Sequence, residues 1–68
     1  MKYNVTQNVT SNMVIKSTWT EKDKAKQAYH DTLRLLYSDK DTTNGVVAIL
    51  DDNLDVVDGC KEFIDKTV

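Results

Sequence analysis

One amphipathic helix, flanked on each side by a stretch that alternates as strands do, restricts this chain to a few folds. Ala25, Ala28, Tyr29, Thr32 and Leu36 fall at i, +3, +4, +7 and +11. Leu33 and Leu35 widen that stripe, and Tyr37 flanks it. Lys22, Lys24, Lys26, Gln27, Asp31 and Arg34 cover the rest of the surface. Such a stripe lays one face on a sheet and leaves the other in water. Thr20 stands where an N-cap accepts the amide of Asp23, and Asp23 holds the capping-box position. The spacing predicts a helix over about 21–38.

Before the helix, Tyr3, Val5, Val9, Met13, Ile15 and Trp19 take odd positions, and Asn4, Thr6, Asn8, Lys16 and Thr18 take even ones. A period of two marks half-buried strands. Val14 interrupts it. The run is too long for one ordinary strand, and Thr10, Ser11 and Asn12 make the best turn. Strands are therefore expected at about 2–9 and 13–19. After the helix, residues 38–44 are polar, and Asn44-Gly45 signals a turn. Residues 46–50 are apolar at both parities, as in a strand covered on both faces. Asp51, Asp52 and Asn53 form a second turn. Strands are expected at about 45–51 and 54–64, with Gly59 as a bulge or kink and a frayed end beyond. The predicted fold class is α+β: a single ββαββ domain over residues 1–68, with an antiparallel sheet of about four strands and one helix on one face.

With 68 residues, such a domain buries only roughly 60% of its unfolded surface. Small domains are usually stapled or associated. Cys60 is the one cysteine and His30 the one histidine, so neither an intramolecular disulfide nor a Cys/His zinc set is available. Self-association is the expected remedy, with a dimer as the expected oligomer. The net charge of −2, from 9 basic and 11 acidic residues, gives no general attraction to nucleic acid. No apolar run approaches the ~20 residues of a membrane span, and the N-terminus lacks the apolar core of a signal peptide. A cytoplasmic protein is expected, so the two Asn-Val-Thr sequons at Asn4 and Asn8 read as chance matches.

Lys2, Tyr3 and Val5 open the first strand pair, and Trp19 and Thr20 lead into the helix. Ala25, Tyr29, His30 and Leu33 give an Ala-x-x-x-Tyr-His-x-x-Leu pattern, and residues 49–53 read Ile-Leu-Asp-Asp-Asn. In this order of features the chain resembles a recurrent type of short protein in Firmicutes, their phages and gut metagenomes. The resemblance implies a setting among mobile elements and carries no mechanism. Leu54 departs from the pattern, since many such proteins end that turn with Gly.

The sharpest local motif is a calcium-loop spacing. Asp51, Asn53, Asp55 and Glu62 occupy oxygen-ligand positions 1, 3, 5 and 12. Val56 replaces the turn glycine at position 6, and a strand, not a helix, precedes the loop. Both features argue for an acidic hairpin turn instead. His30 and Asp31 are adjacent on the helix, point about 100° apart, and make no acid–base pair. Asp58 and Glu62 oppose a thiolate at Cys60. Glycine is too rare for a phosphate-cradling loop, and no cofactor is expected.

One helix covers only one face of a four-stranded sheet. With Val46, Ala48 and Leu50 against the helix, Val47, Ile49 and Val57 would line an apolar second face and form an interface. The leading expectation is therefore a non-enzymatic protein-binding module that self-associates, in the setting of a phage or mobile-element accessory protein or an inhibitor of a host protein. Two alternatives remain. One is nucleic-acid binding through Lys22, Lys24 and Lys26. The other is an oligomer that holds a small molecule between subunits.

Overall fold

The computed structural model describes residues 1–9 and 12–66. Its elements run β1 (Tyr3–Val9), β2 (Asn12–Trp19), α1 (Lys22–Ser38), β3 (Asn44–Leu50) and β4 (Val56–Asp65). The strands form one antiparallel sheet in the order β2-β1-β3-β4. This is the ββαββ arrangement of the α+β class that the sequence predicts. Of the first predicted turn, Thr10 and Ser11 lie outside the described residues, and Asn12 already pairs with Val9. Of the expected frayed end, Thr67 and Val68 lie outside them too.

The core forms where the helix stripe meets the two central strands and β4. Ala25, Tyr29, Leu33 and Leu36 pack on Val5, Val47, Ile49, Val57 and Ile64. Val5, Val47 and Ile49 are wholly shielded from solvent. This corrects the interface expectation: Val47, Ile49 and Val57 face the helix. The reason is register. A strand apolar at both parities does not say which parity faces inward. Pairing of Ile49 with Val5 puts odd-numbered β3 residues on the helix side, so Val46, Ala48 and Leu50 line the open face.

Two bulges make residue parity change sides. In β2 the register shifts between the partners of Val5 and Thr6, which are Ser17 and Ile15, leaving Lys16 as the extra residue. Ser17 and Trp19 thus share the helix side with Val5 and Tyr3. Met13 and Ile15 stand opposite Asn8 and Thr6 on the open side. In β4, Val56 pairs with Leu50 and Lys61 with Ala48, so residues 57–60 stand against the single Ile49. Asp58 and Gly59 take positive φ there, 49° and 70°. Glycine meets such a backbone without a Cβ clash. The detour turns Val57 inward while Val56 and Lys61 stay outward.

The helix begins one residue later than a Thr20 cap requires. Glu21 is the N-cap, in extended conformation, and makes no side-chain capping bond. The Ala25 amide donates to the Glu21 carbonyl at 3.1 Å. At the other end, the Lys66 ammonium donates to the carbonyls of Leu36 and Asp39, complementing the negative end of the helix dipole. Asn44 is a strand residue, not a turn. Gly45 serves close packing: a Cβ there would lie 3.1 Å from the Asn8 carbonyl oxygen and from Val9 Cγ2.

Ile49→Ala is expected to lose about 2–5 kcal/mol in urea unfolding, as a fully buried aliphatic residue does. Thr20→Ala, with no cap to lose, is expected to stay within about 0.5 kcal/mol of wild type. The reverse order would place the core on the other face of β3.

Candidate functional site

The sheet face opposite the helix carries the largest gathering of exposed apolar side chains. Met13 and Ile15 rise from β2, Val56 and Phe63 from β4, and Leu54 from the β3–β4 hairpin. They are 56, 56, 40, 69 and 69% exposed. Between these two ridges lies a low floor. Thr6 and Ala48, small and paired across β1 and β3, are only 5% exposed. The Thr6 hydroxyl donates to the Ala48 carbonyl at 3.2 Å, so the floor satisfies its own polar group. Floor and ridges enclose a shallow groove of about 240 Å³, reaching from Met13 to Leu54, Val56 and Lys61.

Local chemistry explains how the ridges stand up. At the hairpin, the Asp51 carboxylate accepts the amides of Asn53 and Asp55 at 2.8 and 3.0 Å. The Leu54 amide donates to the Asp51 carbonyl. Leu54 then takes φ 65°, a conformation that costs an L-residue about 1–2 kcal/mol. On β4, the Lys61 ammonium lies 5.2 Å from the Phe63 ring centre, a cation–π contact that holds the ring at the rim.

The helix side has a different electrostatic character. Lys22 and Lys26 both reach Asp58 in the β4 bulge, at 3.2 and 3.1 Å. The hydrogen bond from Lys26 and then that from Lys22 hold the Asp58 carboxyl below its ordinary range. The same bond to Asp58 raises Lys26. Tyr37 donates to Glu62 at 2.9 Å, which raises the phenol's pKa. Asp39, just past the helix, accepts the Asp41 amide and the Thr42 hydroxyl, each at 2.9 Å. The amide bond foremost, then the hydroxyl bond, lowers its pKa.

These contacts show where the structure puts the other candidate residues. Asp51, Asn53, Asp55 and Glu62 do not converge. Asp51 binds loop amides, Glu62 binds Tyr37, and among the described residues no three His, Cys, Asp or Glu side chains gather as metal ligands would. Lys22, Lys24 and Lys26 do not form an unshielded stripe, since Asp58 takes two of them and Glu21 approaches Lys24 at 3.7 Å. His30 is exposed and packs edge-on against Tyr29, ring centres 5.2 Å apart. Cys60 is half-buried against the core. The exposed face of Met13, Ile15, Leu54, Val56 and Phe63 escapes sequence reasoning. Its one local signal is Val14, whose break in the alternation marks the β2 bulge.

No described helix is long and apolar enough to cross a membrane. No protein-family model, curated protein or solved structure matches the chain.

Two outcomes follow from this geometry. Asp58 is held below its ordinary value of 3.8, so its contribution to stability is present above that pH and is lost as pH falls through the lower folded-state value. Asp58→Asn is expected to lower the melting temperature at neutral pH and to flatten the acid limb of its pH profile. Leu54→Gly is expected to gain about 1 kcal/mol in urea unfolding by relieving the positive φ. An unchanged stability would show that Leu54's packing offsets its strain.

Proposed function

We propose that this protein is a non-enzymatic protein-docking module that acts through the open face of its sheet. The observation that carries the reading is the one-sided architecture: five apolar side chains stand exposed around a small-residue floor. A soluble domain ordinarily keeps such groups apart or covered. The mix of apolar ridge and hydrogen-bonding strand suits a protein surface as partner. Of the residues paired on that face only Lys61 and Asp65 are charged, with opposite signs. A neutral face of this kind does not attract a polyanion, whereas nucleic-acid surfaces are strongly positive.

The setting implied by the resemblance makes this an accessory protein of a phage or mobile element, acting in the cytoplasm on a host protein or on itself. Cys60 stays a thiol in that compartment. Of the alternatives, the small-molecule reading gains some support from the groove, which could be completed by a partner. Nucleic-acid binding loses support, because Asp58 pairs with Lys22 and Lys26 and Glu21 lies beside Lys24.

A photo-activated phenylalanine analogue at position 63, expressed in a Firmicutes host and irradiated, tests the proposal. A discrete adduct from position 63, absent when the analogue stands at Gln27 on the outer helix surface, is the expected result. Equal or no adduct formation from the two positions would overturn it.

A further inference from the structure

Resting on the docking reading, we infer that the occupant of the open face is a second copy of this chain, packed sheet to sheet in a four-layer sandwich with the two sheets inside and the helices outside. At their exposures, the five apolar side chains present roughly 600 Å², the upper end of the ~300–600 Å² reached by the largest patch on a typical monomer. Val46, Leu50, Asn8 and Lys61 around them bring the face towards the ~800 Å² that each partner contributes to a standard interface. A second copy covering this face would bury an area approaching that standard.

Shape and charge point the same way. A twofold interface must carry both the knob and the hole it fits. Here the Met13–Ile15 ridge stands on β2, and the Thr6–Ala48 floor on β1 and β3 lies between it and the β4 side. The β2 ridge of one copy can enter the groove of the other, and the reverse contact forms at once. Lys61 and Asp65 cancel within each face, so two copies approach without net repulsion. Sheets packed this way sit about 10 Å apart with interdigitated side chains. The 5% exposed floor and its tall rims provide that relief. The helix side, by contrast, is charged and half-covered and offers no such pairing.

Light scattering of the purified chain from micromolar to millimolar concentration tests the inference. Wild type is expected at twice the 7.7 kDa chain mass. Ile15→Lys and Phe63→Lys, both at exposed positions, are expected to keep the wild-type circular dichroism. Each should raise the dimer dissociation constant roughly 30-fold or more, as loss of a central apolar anchor does. Leu35→Lys, at a 70% exposed helix position, is expected to leave it unchanged. A wild type that stays monomeric at millimolar concentration would overturn the second-copy inference alone, and the docking reading would then stand or fall on the position 63 adduct. A wild-type dimer untouched by both face variants would likewise overturn the second-copy inference, because the copies would then meet elsewhere. Should a lysine variant misfold, Met13→Gln provides the same comparison at a milder cost.

Discussion

A single helix is too narrow to cover four strands, and the rest of this molecule is arranged around that mismatch. An α-helix with its side chains is about 10–12 Å across, and strands lie about 4.8 Å apart. The helix therefore sits on an apolar strip drawn from β1, β3 and the inward residues of β4, and polar contacts extend its hold on the β4 side. Lys22 and Lys26 meet Asp58, Tyr37 meets Glu62, and Lys66 caps the helix end. These contacts are exposed and individually weak. Their value is orientation: they fix how the helix lies, while Ile49, Val5, Val47 and Ile64 beneath it supply the apolar burial. The opposite face of the sheet has no layer at all, so its residues meet solvent or a partner.

The two bulges decide which residues those are. A strand of regular pleat would keep Met13, Ile15 and Trp19 on one side. The extra residue Lys16 lets β2 send Trp19 to the helix and Met13 and Ile15 to the open face. The larger detour in β4 delivers Val57 to the core and Asp58 to the helix lysines, then returns Lys61 and Phe63 to the open side. Edge strands carry both irregularities, which also break the flat edges that would otherwise invite strand addition.

Much of this arrangement is legible in the sequence. The helix stripe could be read because 3.6-residue spacing has few competing explanations, and the strands because β-branched residues cluster between turn formers. The facing of β3 was not legible. Residues 46–50 satisfy either parity, and only the tertiary pairing of Ile49 with Val5 selects one. Thr20 precedes the helix with a capping side chain, yet Glu21 takes the N-cap position without a side-chain bond. Asp58 gives no hint of its role in the sequence, because its two lysine partners lie more than thirty residues away along the chain. The acidic loop at Asp51 matched a ligand spacing, yet its carboxylate is used by amides two and four residues on.

The composition of the open face also says what kind of association it suits. A core-like interface would carry apolar residues on every strand. Here β1 runs through the middle with Asn4, Thr6 and Asn8 on that side, and Asn4 accepts the Thr18 hydroxyl at 2.8 Å. A polar strip of this kind limits the cost of exposing the face to water, and it leaves hydrogen-bonding groups for a partner to meet. Interfaces between chains that also exist apart have this mixed character, whereas obligate ones resemble a divided core. The helix-side core of Val5, Val47, Ile49 and Ile64 is shielded within one chain, so folding of the chain does not require the open face to be covered. On the docking proposal, folding and binding use opposite sides of one sheet, and the strained Leu54, the Met13–Ile15 ridge and Phe63 belong to the second.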